Sequence, residues 1–404
     1  MPEAVIVASA RSPIGRANKG SLKDLRPDDL AARMVTAALA QVPELDTQEI
    51  DDLVLGCAQP AGEAGNNLGR AVAVLTGMDH VPGVTVNRYC SSSLQTTRMA
   101  LHAIKAGEGD VFISAGVETV SRFFNGLADN VEGQNEAFAE AQARTDELAA
   151  GGQTWVDPRL GGRLPDLYIA MGQSAENVAQ WAGVTRAEQD AFAARSQNRA
   201  EHAIGSGFWR RDITPVTLAD GTVVSSDDGP RAGVALELLS RLQPVFRPDG
   251  TVTAGNCCPL NDGAAALVVM SARKARDLGL EPLARIVSTG VSGLSPEIMG
   301  LGPVEASQRA LALAGMTIQD VDLVEINEAF AAQVIPSARQ LGIDDDKLNV
   351  NGGAIAVGHP FGMTGARITC TLINSLQWHD KQVGLETMCV GGGQGMAMVL
   401  ERLS

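Results

Sequence analysis

Short apolar runs alternate with longer segments whose apolar residues recur at helical spacing. The runs fall at residues 4–8, 53–55, 84–86 and 111–115, and the helical segments fall at 30–40, 67–76 and 92–106. Alternation of this kind predicts βαβ units that build a mostly parallel sheet. Ligand-binding groups in such sheets lie at the carboxyl ends of the strands, so we expect an α/β fold with its chemistry on those loops.

The second part of the chain repeats this alternation of apolar runs and helical segments. Residues 284–287 correspond to 5–7, 322–324 to 52–54 and 350–351 to 86–87, the last two at offsets of 270 and 264 residues. Two similar offsets in one order indicate an internal duplication. The 404 residues are enough for roughly two to three domains. We predict an N-terminal half at 1–119 that is completed by about 248–280, an insertion at 120–247 and a C-terminal half at 281–404.

The insertion has a composition of its own. It is rich in alanine, glycine and acidic residues around 129–152, and the stretch 132–150 is predicted to form a surface loop or an oligomer contact. A helix is predicted over 186–202, because Thr185 and Glu188 have the spacing of an N-terminal capping box. We interpret that helix as scaffold without a chemical role.

Composition and charge narrow the class of protein. Apolar residues make up 45% of the chain and charged residues 20%, as in folded globular domains. The net charge of −15 repels nucleic-acid backbones and anionic lipid heads, so neither nucleic acid nor a membrane is an expected partner. The chain starts without a signal-peptide pattern and has no apolar stretch of ~18 residues, which favours a cytoplasmic protein.

The six cysteines do not have metal-ligand spacing. None forms a Cys-x-x-Cys pair, so no metal site is expected and the thiols are predicted to be reduced. Cys90 follows the apolar run 84–86 and precedes an amphipathic segment. Free amides and the positive end of a helix dipole lower the pKa of a thiol at such a junction, and the thiolate is a nucleophile. A buried, inert cysteine is the alternative.

Three later loops carry further chemical groups. His359 lies in a glycine-rich loop that can approach a ligand closely, and it is a candidate base for a thiol. Cys389 precedes the glycines at 391–393, whose amides can face a developing oxyanion. Two thiols and one histidine on such loops favour acyl transfer with a separate proton step. Asn327 follows an apolar strand, although its motif NEAFA also occurs at 135–139 inside the insertion.

Together these loops resemble the thiolase family. Cys90 lies in VNRYCSSSLQ, Asn327 in NEAFA, His359 in GGAIAVGHPFG and Cys389 in CVGGGQG, in the order of that family, and the likeness extends over residues 5–402. The resemblance implies two duplicated βαβαβ halves that form a five-layered αβαβα fold, with an inserted loop domain covering a coenzyme A site. It also implies a homodimer or homotetramer.

The same resemblance implies a role for each group. Cys90 would attack a 3-ketoacyl-CoA or acetyl-CoA and hold the acyl group as a thioester. His359 would activate Cys90, and Cys389 would move the C2 proton. The amides of Cys90 and Gly391 would hold the tetrahedral oxyanion, while His359 and a water on Asn327 would hold the enolate oxygen. Coenzyme A would be a substrate rather than a bound cofactor, and its expected contacts are Met171, Arg231, Phe246, Cys258 and Phe330.

Three positions depart from the family pattern. Ser93 replaces a glycine, Ala170 stands where biosynthetic thiolases carry histidine, and Cys258 replaces a serine that contacts the pantetheine. The small Ala170 is predicted to leave room for longer acyl chains, unless Ser93 or the turn at 257–259 fills it. We therefore predict thiolysis of 3-ketoacyl-CoA to acetyl-CoA and a shortened acyl-CoA, or the reverse Claisen condensation.

Three other functions fit parts of this pattern, and a fourth, a cysteine hydrolase, is conceivable although the duplicated halves give no reason for it. A biosynthetic short-chain acetyl-CoA acetyltransferase has the same motifs. A condensing enzyme of fatty-acid or polyketide type shares the duplicated fold but lacks the second catalytic cysteine. A non-catalytic acyl-CoA or lipid carrier of thiolase shape is the alternative from another class, and the altered turn at 257–259 is the feature that favours it.

Overall fold

Strands and helices alternate over the residues that the computed structural model describes, 2–129 and 133–404. The strands are β1 (Ala4–Arg11), β2 (Gly15–Arg16), β3 (Asp52–Gly56), β4 (Gly83–Val86), β5 (Val111–Thr119), β6 (Val216–Thr217), β7 (Val223–Val224), β8 (Asn261–Ser271), β9 (Ala284–Gly293), β10 (Leu323–Ile326), β11 (Val383–Val390) and β12 (Gln394–Arg402). The helices are α1 (Pro27–Leu39), α2 (Leu68–Leu75), α3 (Ser92–Ala106), α4 (Ala139–Ala149), α5 (Met171–Ala182), α6 (Arg186–Ser206), α7 (Phe208–Asp212), α8 (Leu236–Leu239), α9 (Ala272–Asp277), α10 (Gly302–Ala314), α11 (Ala331–Leu341), α12 (Ala354–Val357) and α13 (Thr364–Trp378). None of these described helices is long and apolar enough to cross a membrane.

Ten strands form one mixed sheet. Their order is β10-β11-β12-β9-β1-β8-β5-β3-β4, with β2 alongside β8. The pairs β3/β4, β3/β5 and β10/β11 are parallel, whereas β8 is antiparallel to β1 and β5, and β12 is antiparallel to β9 and β11. The expectation of a mostly parallel sheet is therefore wrong. A short glycine turn at 391–393 joins β11 to β12 as a hairpin, and hairpins connect antiparallel strands.

The two halves of the sheet repeat one another. Val54 pairs with Val84 between the parallel strands β3 and β4, and Val324 of β10 forms a parallel bridge with Leu348. These two pairings are related by the offsets of 270 and 264 residues seen in the sequence. The second-half counterpart of β4 is reduced to this single bridge, because residues 350–351 lie in a turn.

Helices cover both faces of each half. Apolar residues of α1 and α2 pack on the outer face of the N-terminal strands, and those of α10 and α11 pack on the outer face of the C-terminal strands. Helices α3 and α13 lie between the halves and pack against each other. The layers therefore run helix, N-terminal part of the sheet, helix, C-terminal part of the sheet, helix, which confirms the thiolase-like αβαβα architecture.

The contact between α3 and α13 is close. A Cβ built on Gly365 would lie 2.2 Å from the backbone nitrogen of Leu94, so only a glycine fits there. Next to this contact, the buried Ser93 hydroxyl accepts a hydrogen bond of 2.9 Å from the Ala366 amide. That amide belongs to the first turn of α13, where backbone N–H groups have no partner within the helix. The hydroxyl that replaces the usual glycine thus joins the two central helices.

The inserted region is largely helical. Helix α4 occupies Ala139–Ala149, so the surface loop predicted over 132–150 is wrong for those residues; its first residue, Glu132, lies outside the described residues. The Asn135 side chain accepts a hydrogen bond from the Ala137 amide and starts the turn that leads into α4. Helix α6 is longer than predicted, and the capping box between Thr185 and Glu188 is confirmed.

A glycine-to-alanine pair tests the central contact. Gly365→Ala is expected to lower the free energy of unfolding by about 1–3 kcal/mol, because the added methyl group meets the Leu94 backbone. Gly205→Ala in α6 is the matched control: its Cβ would meet no atom within 4 Å, so this change should raise the free energy of unfolding by about 0.5–1 kcal/mol. Urea unfolding followed by circular dichroism measures both. Equal effects of the two substitutions would contradict the close contact.

Candidate active site

Loops from both halves of the molecule carry the predicted site residues. Cys90 lies in the turn between β4 and α3, and Asn327 directly follows β10. His359 lies in the loop between α12 and α13, and Cys389 is near the end of β11. Because α3 and α13 pack against each other at their first turns, the loops that precede these helices meet.

The turn around Cys90 is tight. Tyr89 has a φ of +44°, which is uncommon for a residue with a large side chain. The Ser92 hydroxyl holds this turn by donating to the Tyr89 carbonyl at 2.6 Å and accepting the Arg88 amide at 2.9 Å. The amides of Cys90 and Gly391 both face the sulfur.

Burial raises the pKa of the Cys90 thiol to about 11, and this outweighs the two amides that lower it. The expectation that the helix start lowers the pKa of Cys90 is therefore wrong. The sulfur is desolvated by the protein around it, although part of the residue remains accessible. Cys90 is a neutral thiol in this site, so it needs a base before it can act as a nucleophile.

His359 supplies a neutral imidazole with one unprotonated ring nitrogen. The Thr364 hydroxyl donates to the Pro360 carbonyl at 2.7 Å and lies 2.6 Å from His359 Nδ1. Since that hydroxyl has a single proton, Nδ1 is the protonated ring nitrogen and Nε2 is the unprotonated one. Burial and the charge of Arg367 lower the pKa of His359 to about 3, so the ring is neutral. The His359 amide donates to Asn261 Oδ1 at 2.9 Å, which fixes the loop.

Asn327 lies against the same ring. Its Nδ2 is 3.3 Å from His359 Nε2. Arg367 donates to Asn327 Oδ1 at 3.5 Å, and Gln333 donates to the Asn327 carbonyl at 2.7 Å. These contacts orient the amide so that its NH2 group faces the imidazole. The copy of this motif at 135–139 lies in the insertion, where Asn135 only caps a turn.

Cys389 lies in an apolar cluster with four of the predicted coenzyme A contacts. This cluster, the back cluster, includes Met171, Phe246, Cys258, Phe330 and Cys389. The rings of Phe246 and Phe330 meet edge to face with centroids 6.3 Å apart. Burial raises the pKa of Cys389 and of Cys258, and the thiols of this site raise one another's pKa further. The fifth predicted contact, Arg231, is exposed on a loop, and its backbone amide donates to the Gln197 side chain of α6.

A cavity of about 360 Å³ opens in front of Cys90. Its lining consists of Ala58, Gln59, Tyr89, Cys90, Ala128, Asp129, Gly133, Gln134, Leu167, Tyr168, Ile169, Met171, Phe361, Gly391 and Gly392. His359, Asn327 and Cys389 are each about 1% exposed. Ala170 is exposed outside this described lining, between two residues that belong to it.

Two groups that hold the site were missed in the sequence. Arg88 donates to Gln394 at 2.9 Å, and Gln394 donates to the Gly391 carbonyl at 3.1 Å, so the two glycine-rich motifs are tied together. The buried Glu118 carboxylate accepts amides from 58–59 and from Gly362, and burial raises its pKa to about 7. Arg88 and Gln394 could have been found from the sequence, because they are polar residues inside the motifs. Nothing in the sequence around Glu118 marks it as part of the site.

Comparison with known proteins agrees with this geometry. The family model of the thiolase N-terminal domain matches residues 4–273, and that of the thiolase C-terminal domain matches residues 280–402. The chain belongs to the thiolase family. It is accordingly an acyltransferase, and thiolases act on CoA-linked substrates.

Individual relatives of this thiolase differ in their substrates. The chain is 44% identical to the 3-ketoacyl-CoA thiolase of Bacillus subtilis (strain 168), over 99% of this chain and 100% of the relative. It is 43% identical to the 3-oxoadipyl-CoA/3-oxo-5,6-dehydrosuberyl-CoA thiolase of Escherichia coli (strain K12), over 100% of both. The crystal structure of the Bacillus anthracis acetyl-CoA acetyltransferase matches with a TM-score of 0.87 at 39% identity, covering 100% of this chain and 99% of that one.

The Thr364 contact predicts a defined loss of activity. Thr364→Val is expected to lower kcat by roughly 10- to 100-fold, since valine cannot accept the Nδ1 proton and the ring loses its fixed tautomer. Thr364→Ser keeps the hydroxyl and is the matched control, which should retain most of the activity. The measurement is kcat for thiolysis together with the rate of Cys90 acylation. A valine variant with the native kcat would show that Thr364 does not orient the base.

Proposed function

We propose that this thiolase cleaves 3-ketoacyl-CoA to acetyl-CoA and a shortened acyl-CoA by ping-pong acyl transfer, and also runs the reverse Claisen condensation. The observation that carries the proposal is the Cys90 thiol, which faces two backbone amides and lies close enough to the Cys389 thiol that it adds to the rise that burial causes in the Cys389 pKa. The neutral imidazole of His359 is carried by the loop that precedes α13. The alternative that one observation favours is a short-chain acetyl-CoA acetyltransferase, because a solved relative bears that title.

Acyl transfer is the first half of the proposed reaction. The Cys90 proton passes to His359 Nε2, and the sulfur attacks C3 of the substrate. The amides of Cys90 and Gly391, which face the sulfur in the resting site, are placed to stabilise the tetrahedral oxyanion. The C2–C3 bond then breaks, so the acyl group stays on Cys90 as a thioester and the electron pair leaves with the acetyl-CoA enolate.

The enolate requires a proton at C2, and Cys389 is proposed to supply it. Burial raises the pKa of Cys389, so the group is protonated in the resting site. The enolate oxygen would be held by His359 and by a water on Asn327, whose Nδ2 lies beside the ring. The sulfur of coenzyme A then attacks the Cys90 thioester and gives up its proton to the Cys389 thiolate. The bond between the acyl carbon and Cys90 breaks, acyl-CoA leaves, and His359 returns its proton to the Cys90 sulfur.

The substrate is proposed to approach along two surfaces. The pantetheine arm would run over Phe246, Phe330, Met171 and Cys258 of the back cluster, and Arg231 would meet the anionic nucleotide. The acyl chain would enter the cavity in front of Cys90. At ~30 Å³ for one water-sized group, about 360 Å³ holds roughly a dozen such groups, which is more than an acetoacetyl unit needs. Ser93 does not fill this space, because its hydroxyl is bound to α13.

Three further statements stay predictions from the sequence and the family resemblance. They are the assembly as a homodimer or homotetramer, the cytoplasmic location and the lack of a permanently bound cofactor.

Substitutions of the two thiols test whether Cys90 carries the acyl group and Cys389 moves the C2 proton. After incubation with acetyl-CoA, Cys389→Ala is expected to carry an acetyl group on Cys90 yet to exchange C2 protons with deuterated solvent at a rate reduced at least ~100-fold. Cys90→Ala should carry no acetyl group. Cys370→Ala, in the middle of α13, is the control and should do both. Peptide mass spectrometry and proton NMR give the two readouts. Acetyl transfer by Cys90→Ala, or native C2 exchange by Cys389→Ala, would contradict the assignment.

The cavity predicts the chain-length preference. We expect kcat/KM for thiolysis to rise over several carbons beyond acetoacetyl-CoA, because each buried methylene contributes about 0.8 kcal/mol. A series of 3-ketoacyl-CoA substrates measures this preference. A steep preference for acetoacetyl-CoA would instead identify the chain as a short-chain acetyl-transferring enzyme.

A further inference from the structure

The cavity in front of Cys90 and the back cluster are separate surfaces. Met171 is the one residue that both of these described sets contain. If the pantetheine arm runs over Phe246 and Phe330, the cavity is left for the acyl chain. We call this cavity, with the lining given above, the acyl chamber.

One part of the acyl chamber is a hydrogen-bonded polar group. Gln59 Nε2 donates to Asp129 Oδ2 at 2.8 Å, and the Asp129 amide donates back to Gln59 Oε1 at 3.0 Å. Burial raises the pKa of the Tyr89 hydroxyl, and Asp129 lies close enough to Tyr89 that its carboxylate raises this pKa further. Asp129 is exposed to solvent, yet these contacts hold its carboxylate in the lining next to the residue that precedes the nucleophile.

The charge of this lining is negative. Asp129 contributes a carboxylate, and the described lining contains no arginine, lysine or histidine. A second carboxylate at the end of an acyl chain would therefore lie beside a like charge and meet no cationic side chain among the described lining residues. A methyl group or an uncharged polar group at the same position meets no such penalty.

We propose that Asp129 makes the acyl chamber selective for 3-ketoacyl chains that lack a terminal carboxylate. This inference rests on the proposed function and names its substrate class. It distinguishes the chain from the Escherichia coli relative, which is named for a substrate with a carboxylate at the end of the chain. Because Asp129 is exposed, water and salt screen the repulsion, and a discrimination of roughly 5- to 30-fold is expected.

A matched pair of substrates tests the proposal. 3-Oxohexanoyl-CoA and 3-oxoadipyl-CoA have acyl chains of equal length and differ in a terminal methyl group against a carboxylate. Thiolysis of both is measured with the wild type, Asp129→Asn and Asp277→Asn, at low and high ionic strength. Asp129→Asn keeps the shape and one acceptor oxygen of the side chain. Asp277, at the end of α9 and outside the described lining, is the matched control for the same loss of charge.

The expected readout is the ratio of kcat/KM for the two substrates. The wild type should favour 3-oxohexanoyl-CoA by roughly 5- to 30-fold, Asp129→Asn should reduce that ratio at least ~3-fold, and Asp277→Asn should leave it as it is. High salt should narrow the ratio in the wild type and much less in Asp129→Asn.

Other outcomes distinguish a failure of this inference from a failure of the proposed function. Equal or better turnover of 3-oxoadipyl-CoA by the wild type would overturn this inference while the proposed function stands. A wild-type preference that Asp129→Asn leaves unchanged would remove Asp129 as the determinant. Failure to cleave either substrate would overturn the proposed function and the inference with it.

Discussion

The close packing of α3 on α13 is the constraint on which the site depends. Each of these helices begins directly after a loop that carries chemistry, Cys90 before α3 and His359 before α13. Gly365 allows the two helix starts to approach to the distance of a backbone contact, and the bond from Ala366 to Ser93 sets their register. The duplicated fold therefore places Cys90 in one half and His359 in the other, and a small shift between the halves would separate the proposed nucleophile from its proposed base.

Burial by this central layer also sets the electrostatics. It raises the pKa of the Cys90 and Cys389 thiols and lowers that of His359, so all three groups are neutral before substrate arrives. In the proposed reaction charge develops only when the Cys90 thiol loses its proton, and the amides of Cys90 and Gly391 already face that sulfur. Dipoles fixed in a site of low dielectric need no reorganisation at that moment, which makes a neutral resting site compatible with fast acyl transfer.

The alternation of strands and helices could be predicted from apolar periodicity, because that periodicity reports burial locally, and α3 was predicted with the bounds observed. The five layers were implied only by the resemblance to thiolases. The directions of β8 and β12 could not be predicted, because strands joined by a hairpin and strands joined by a crossover have the same apolar runs in the sequence. Neighbours along the chain suggested a lowered pKa for Cys90, whereas the desolvation that raises it comes from residues far away in sequence. Thr364 and Asp129 were missed for the same reason: each matters through one contact across the fold, with His359 and with Gln59.

Both the acidic enzyme and its CoA-linked substrates are anionic, so their overall charges cannot determine which acyl chain is preferred. The net charge of −15 acts on the phosphates of coenzyme A, but every acyl-CoA carries the same phosphates, so that repulsion cancels when two substrates are compared. The apolar back cluster around Phe246 and Phe330 would likewise meet the same pantetheine arm in each case. Only groups that reach the acyl chain can discriminate, and they do so through volume and charge. With the acyl chain in the cavity as proposed, a carboxylate such as Asp129 in the lining would have more influence on substrate choice than its small share of the total charge suggests.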